Sequence, residues 1–271
     1  KAISLGLPLM PGEYREVWTV ESKTSFTPTK GPVNVELRLP ATLAGWVILE
    51  EHFVSSGFGF SIIEDGETSS KARWARQELE RPTTLYYKMQ IHRASDNNEL
   101  PPMAFVKPQT PLLEPDQQAA MDRLVDRLKT QSSNTETFVL LLLQEFLRDS
   151  PDQDTVFLLD SYQEDAVMVL MDALAVADIS AHQIRGIVLE DSRRRQQLSS
   201  LIEVYTDGRW RVFDPRTARA GLPKNFFIWQ RSDDSILNVV GGRNSSLEFA
   251  LVSNSLPAKA VVEMEQRSEQ F

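Results

Sequence analysis

Few side chains in this sequence could carry chemistry, and the lack of cysteine limits what they can do. None of the 271 residues is cysteine, which excludes disulfides, thiolate metal sites and a cysteine nucleophile. Ser199 could act as a nucleophile only beside a general base, and the motif around Ser199 contains no histidine. The histidines, His52, His92 and His182, are too far apart to form a metal-binding pair on one helix or strand. We therefore expect no metal and no other cofactor.

Three consecutive arginines, Arg193, Arg194 and Arg195, form the most concentrated positive charge of the chain. Three guanidinium groups could bind a carboxylate-rich ligand or lipid phosphates. The alternative is a solvated turn, because Glu190, Asp191 and Gln196 flank the arginines.

The overall charge and hydropathy exclude other classes of partner. The net charge is −9, and an acidic surface repels phosphate backbones, so nucleic acid is not expected as a partner. The longest apolar runs have six residues, at Phe138–Leu143 and Ala166–Met171, whereas a membrane-spanning helix needs about 20. Because the sequence starts at Lys1 without a signal pattern, we expect it to be a piece of a longer protein.

The first hundred residues have the period-two alternation of strands buried on one face. Apolar residues alternate with polar ones in Val33–Leu39, in Leu85–His92 and in Phe58–Ile62, and Trp18 with Val20 begins the pattern. Several short strands separated by turn residues predict an N-terminal antiparallel β-sandwich over residues 1–94.

Helical periodicity starts after a polar segment rich in proline, residues 95–112, which we interpret as a linker. Pro115 suits a first helical position, and an apolar stripe follows at Met121, Leu124, Val125 and Leu128. Two capping-box spacings, Ser133 with Glu136 and Ser161 with Glu164, predict the starts of two further helices.

Strands return in the second half of the chain. We expect them at His182–Glu190, Ser200–Tyr205, Trp210–Asp214 and Leu247–Val252. Asp207-Gly208 between the second and third provides the positive φ angles of a tight hairpin. Helices followed by an antiparallel sheet predict an α+β domain over residues 113–256, and residues 257–271 are expected to form a C-terminal tail.

The order of motifs from Gln163 to Pro215 resembles the core of the transglutaminase-like superfamily, whose fold and chemistry are papain-like. In that superfamily a cysteine begins the central helix, a histidine opens the next motif strand, and an aspartate before proline ends the hairpin. The resemblance is carried here by the helix before Asp178 and by the hairpin Glu203–Pro215.

Matched position by position, the resemblance implies a degenerate triad. Gln163 stands at the cysteine position, Ser199 at the histidine position, and the aspartate is retained as Asp214. A carboxamide is not a nucleophile, so the resemblance implies a protein that has lost its catalysis.

A narrower resemblance covers more of the chain, through Leu5–Leu9, Gly221–Pro223 and Gly241–Ser245. These segments are similar to a bacterial family with an inactive periplasmic transglutaminase domain fused to seven transmembrane helices. It implies that the C-terminal tail leads toward a membrane segment of an inner-membrane protein. It also implies a functional link to ATP-grasp ligase-like proteins and retropepsin-like proteases.

Three functions are compatible with this sequence. The first is binding or sensing of a peptide-like or amino-acid-like ligand at the old cleft, around Gln163, Ser199, Asp214 and the arginines 193–195. The second is a structural module that docks a protein partner and keeps a vestigial cleft. The third is a residual amide hydrolase that works without cysteine.

Overall fold

The computed structural model describes residues 13–54, 57–64, 69–96, 99–191, 195–232 and 234–268. Within these ranges the strands are β1 (Tyr14–Pro28), β2 (Val33–Arg38), β3 (Trp46–Val54), β4 (Gly59–Glu64), β5 (Ser70–Arg76), β6 (Thr83–Arg93), β7 (Ala181–Val188), β8 (Ser199–Thr206), β9 (Arg209–Asp214), β10 (Arg219–Ala220), β11 (Phe226–Gln230), β12 (Leu237–Val240) and β13 (Gly242–Pro257). The helices are α1 (Pro115–Gln131), α2 (Thr135–Phe146), α3 (Gln153–Ser161), α4 (Ala166–Val176) and α5 (Ala258–Ser268). This content confirms the predicted α+β class.

The strands form three antiparallel sheets. Sheet 1 has the order β13-β1-β6-β3, sheet 2 the order β12-β2-β5-β4, and sheet 3 the order β10-β9-β8-β7-β11. Sheets 1 and 2 share one hydrophobic core, since the alternation in β1, β2 and β6 turns apolar side chains inward. The alternation predicted at Phe58–Ile62 is wrong in its burial, because Phe60 and Ile62 of β4 are exposed. Trp18, Val35, Trp74 and Ile91 are among the residues buried there.

Helices cover one face of sheet 3. The predicted stripe of α1 is buried, and it joins apolar residues of α2 and α4 against Ile202, Val204 and Phe213 of the sheet. Ile184 and Leu201 lie in a second cluster, which Leu100 and Leu43 join. In β8, the side chains that alternate with Ile202 and Val204 therefore face away from the helices. The polar residues described below lie on that face.

Two predicted helix starts are corrected. The cap of α2 is Asn134 rather than Ser133, because the Asn134 side chain accepts the Thr137 N–H at 2.8 Å. Ser161 does not cap the next helix but ends α3, a helix that the sequence pattern did not predict. Asp165 caps α4 instead, accepting the Met168 N–H at 3.1 Å.

Strand pairing joins the two ends of the chain, across the predicted domains of residues 1–94 and 113–256. The last predicted strand lies within β13, which pairs with β1 from Tyr14–Pro257 to Pro28–Gly242, and β12 pairs with β2. Both ends of the chain thus build sheets 1 and 2. The alternation of a strand shows its buried face but not its partner, so the sequence could not place β12 and β13.

The segment after β13 is helical. Helix α5 packs on sheet 1, where Val261 is fully buried against Val17 and Leu49. Among the described residues, no helix combines the length and the hydropathy that a bilayer crossing requires.

Candidate functional site

Gln163 lies where the sequence placed it, just before the helix that corresponds to the central helix of the resemblance. It is exposed in the turn between α3 and α4, and both Gln163 and Glu164 have left-handed φ angles, of 54° and 64°. The preceding Tyr162 hydroxyl donates to Asp172 at 2.5 Å. Burial raises the pKa of Tyr162, and the hydrogen bond to Asp172 raises it further.

Ser199 and Asp214 lie at the same end of sheet 3. Ser199 opens β8 opposite Gly186, and the pairing of Ile202 with Phe213 places Asp214 beside Leu201 at the end of β9. Within the described residues no hydrogen bond or ion pair joins any two of Gln163, Ser199 and Asp214. The structure thus brings two of the three positions to one end of a sheet without linking them.

The Asp214 carboxylate is occupied by a neighbour in the chain. It is buried, and it accepts the backbone N–H of Arg216 at 2.9 Å and the Arg216 guanidinium at 3.0 and 2.9 Å. The histidines lie elsewhere, since His52 is beside Glu50, His92 beside Glu265 and His182 beside Glu203. Asp214 therefore holds the end of the hairpin through Arg216 rather than orienting an imidazole.

The predicted arginine cluster can be followed only at its last member. Arg193 and Arg194 lie outside the described residues. Arg195 pairs with Glu21 of β1 at 3.5 Å, and both side chains are more than one-third exposed. Arg195 thus faces sheet 1, in an ion pair of the weak surface type.

A polar centre that the sequence analysis missed lies on the face of sheet 3 turned away from the helices. Glu203, which is 2% exposed, accepts two hydrogen bonds from Arg231, at 2.7 and 2.8 Å. His182 Nε2 lies 2.8 Å from the same carboxylate. Its Nδ1 is buried without a hydrogen-bond partner among the described residues. The sequence places His182 only at the start of a predicted strand.

Opposing effects act on the ionisation of Glu203. Burial favours the neutral acid, but hydrogen bonds from His182 and Arg231, together with their charges, outweigh burial and lower the pKa of Glu203. The carboxylate is therefore ionised at neutral pH, and it orients the Arg231 guanidinium.

Aromatic rings extend from this centre to the surface. His182 packs edge-on against Trp210 with centroids 4.7 Å apart, Trp210 against Tyr205 at 5.4 Å, and Tyr205 against Phe105 at 5.0 Å. Beside them is a cleft of about 840 Å³, which we call the Trp210 cleft. It is lined by Phe105, Tyr205 and Trp210, together with Glu203 and Arg231. A smaller cleft of about 420 Å³ contains Asp214, Arg216 and Arg219.

The predicted linker forms one wall of the Trp210 cleft. Residues 99–114 have no helix or strand, and their carbonyl groups accept hydrogen bonds from side chains of sheet 3 and its flanks. Arg231 donates to Pro101 at 2.6 Å, Trp210 to Met103 at 2.9 Å, and Ser180 to Val106 at 2.5 Å. The proline content of the segment indicated a linker, but nothing in its sequence showed where it would lie.

Metal chemistry has no evident site in this part of the molecule. Among the residues that the structure describes, no group of three or more histidine and carboxylate side chains is arranged to hold a metal ion. The donors of the Trp210 cleft are an indole N–H, a tyrosine hydroxyl and guanidinium groups, which suit recognition of carbonyl and carboxylate oxygens.

Comparison with solved structures defines the class of fold. A proposed cysteine protease from Cytophaga hutchinsonii matches with a TM-score of 0.58 and 14% identity, over 91% of this chain and 94% of its own. A protease candidate from Parabacteroides distasonis is 12% identical over 70% of this chain and 42% of its own, with a TM-score of 0.25. The first likeness shows that this chain shares its fold with a protein described as a cysteine protease.

The family follows from a match to residues 1–162, more than half of the chain. The chain belongs to the family of inactive transglutaminases fused to seven transmembrane helices. The match ends one residue before Gln163, so it covers sheets 1 and 2 up to β6 and the first helices, not the degenerate triad. No curated protein matches the sequence.

Proposed function

We propose that this domain binds a peptide-like or amino-acid-like ligand on the periplasmic side of a bacterial inner membrane, without catalysis, for the membrane helices of its protein. The observation that carries the proposal is the Trp210 cleft, where a buried Glu203–Arg231 pair lies beneath a wall of aromatic side chains. Concave sites with a few placed polar groups among aromatic residues are typical of ligand recognition.

The residues at the triad positions support the loss of catalysis. The sequence has no cysteine, Gln163 offers a carboxamide, and Ser199 has no histidine beside it among the described residues. Asp214, the one retained position, is bound by Arg216. Turnover in a transamidation or amidase assay, abolished by Gln163→Ala, would contradict this part of the proposal.

The ligand has two candidate positions in the fold. The first is the end of sheet 3 at which Ser199 and Asp214 lie. The second is the Trp210 cleft, which is larger than the cleft around Asp214 and is lined by more aromatic side chains. We therefore assign the ligand first to the Trp210 cleft. Peptide products of the ATP-grasp and protease proteins linked to the family would be suitable ligands.

A docking function is the second candidate, and one observation favours it. The Arg216 guanidinium binds the Asp214 carboxylate, so a side chain of the protein itself takes the place of a ligand there. This is expected of a cleft that no longer binds a small ligand. In that case a protein partner would bind the surface and no small ligand would bind the cleft.

A thermal-shift screen separates these functions. The purified domain is tested with glutamate-rich peptides, muropeptides, free amino acids and anionic head groups. A ligand at 100 times its dissociation constant should add about 2.7 kcal/mol to the free energy of unfolding. No shift with any of them would favour docking.

Two matched variants locate the ligand. Arg209 and Arg219 are exposed arginines at the ends of strands, and each lines a different cleft. We expect Arg209→Ala to weaken the ligand-induced shift and Arg219→Ala to leave it unchanged. The reverse result, or a loss with Ser199→Ala or Arg194→Ala, would place the ligand at the old cleft.

A further inference from the structure

The linker lies along sheet 3 in the manner of a bound peptide. Its three carbonyl contacts, at Pro101, Met103 and Val106, all come from side chains. Among the described residues no backbone–backbone hydrogen bond joins residues 99–112 to a strand. The segment is therefore held by side-chain donors that read its carbonyl oxygens, not as an added strand.

The composition of the segment suits this mode of binding. Pro101 and Pro102 lack an N–H group and favour the extended polyproline conformation, whose carbonyl groups stay unpaired. Aromatic grooves that donate hydrogen bonds to such carbonyls are a general means of recognising proline-containing peptides. Trp210 and Tyr205 provide the rings, Phe105 of the segment itself packs against Tyr205, and the Trp210 indole provides a donor.

The segment is only lightly anchored. Leu100 packs in the cluster of Ile184 and Leu201, whereas Pro101, Pro102 and Phe105 are exposed. The Trp210 cleft beside it remains open over about 840 Å³, which lies in the range of about 300–1,000 Å³ of known ligand sites. A second segment of the same chemistry thus has space beside the linker, and it gains the donors when it displaces the linker carbonyl groups.

We infer that the Trp210 cleft recognises an extended, proline-containing peptide segment, and that residues 99–106 occupy part of this site as an internal competitor. The inference rests on the proposed function and names its ligand class. The ligand takes over the donors of Trp210, Arg231 and Ser180, and the linker between β6 and α1 is released.

An internal competitor reduces the affinity for an added peptide. A tethered segment acts at an effective concentration in the millimolar range, and the apparent dissociation constant rises as the fraction of open sites falls. Loosening the linker must therefore tighten peptide binding, which a site unrelated to the linker would not show.

The test measures anisotropy of a labelled peptide with the sequence of residues 99–106, added to the whole 271-residue domain. The variant Leu100→Ala removes the partly buried anchor, and Leu112→Ala is its control, because Leu112 lies in the same linker and is fully exposed. We expect Leu100→Ala to bind the peptide about tenfold more tightly than the wild type, equivalent to about 1.4 kcal/mol. Leu112→Ala should bind like the wild type.

Removing single donors gives the opposite change. Trp210→Phe keeps the ring and loses the indole N–H, and Ser180→Ala loses the hydroxyl at the other end of the segment. In the Leu100→Ala background each should weaken peptide binding about fivefold, as loss of one hydrogen bond predicts. Circular dichroism and the thermal midpoint verify that each variant is folded.

The outcomes distinguish this inference from the proposed function. Equal peptide affinity in wild type and Leu100→Ala, or no binding to either, overturns the inference. If a ligand of the thermal-shift screen still binds in an Arg209-dependent way, the proposed function stands without it. If neither the peptide nor any ligand of the screen binds, both are wrong.

Discussion

Glu203 is the residue on which the polar centre of sheet 3 depends. Its carboxylate neutralises Arg231 and contacts His182, and all three groups are largely removed from water. We expect Glu203→Gln to lower the free energy of unfolding by about 3 kcal/mol or more, because it leaves a buried cation without its partner. Urea unfolding at pH 7 measures this change.

The same residue predicts an acid dependence of stability. Since the pKa of Glu203 is lower in the folded protein, its contribution is present above the pKa of an unfolded glutamate, about 4.3. It is lost as the pH falls through the lower folded value. The decline of the wild type between about pH 5 and 2 should be shallower in Glu203→Gln.

A control for this acid dependence is available on the surface. The pKa of Asp154 is also lowered, through its hydrogen bond to the exposed Arg123. Asp154→Asn should change the pH profile less than Glu203→Gln, because water screens this pair. Equal effects of the two variants would contradict the importance given to the buried pair.

At the scale of single residues, the sequence identified positions but not partners. Asp214 and Ser199 could be placed on strands from the motif, and Glu203 stands in the same motif. Arg231 and Met103 have no pattern in the sequence that connects them to it. They reach the centre because β11 pairs with β7 and the linker crosses the sheet, and such long-range contacts leave no local signal.

The capping pattern predicts the start of helix α4 at Ser161, whereas the structure has Asp165 as its cap. Asp165 accepts the Met168 N–H, so Asp165→Ala should cost about 1 kcal/mol of unfolding free energy.

Gln163 and Glu164 have left-handed φ angles, so Gln163→Gly should be neutral or slightly stabilising. Thermal denaturation of both variants measures these effects. A large loss in Gln163→Gly would show that its side chain has a structural or binding role.

Helix α5 contacts sheet 1 through a buried histidine and a carboxylate as well as through apolar side chains. His92 Nδ1 lies 2.9 Å from the Glu16 carbonyl oxygen, which can only accept, so Nδ1 carries a proton. His92 Nε2 lies 3.7 Å from Glu265, and both atoms are buried without a hydrogen-bond partner among the described residues.

At the scale of the whole molecule, the sequence predicted the class of fold but divided the chain too simply. The alternation in β1, β2 and β6 and the stripe of α1 showed the buried faces, and these predictions are confirmed. Ile187 and Phe227 of sheet 3 join the core of sheets 1 and 2. Two units predicted to be separate along the sequence therefore share a core and the strands β12 and β13.

This sharing predicts how fragments of the chain behave. A fragment of residues 13–232 lacks β12, β13 and α5, so β1 loses a partner along almost its whole length and the core loses Phe249 and Leu251. We expect it to lack near-ultraviolet circular dichroism and a cooperative urea transition. A fragment of residues 13–257 keeps both strands and loses only α5, with its buried Val261, so it should fold with reduced stability. If residues 13–232 unfold as cooperatively as the whole domain, sheets 1 and 2 do not need the C-terminal strands, and the predicted separation of residues 1–94 from residues 113–256 would stand.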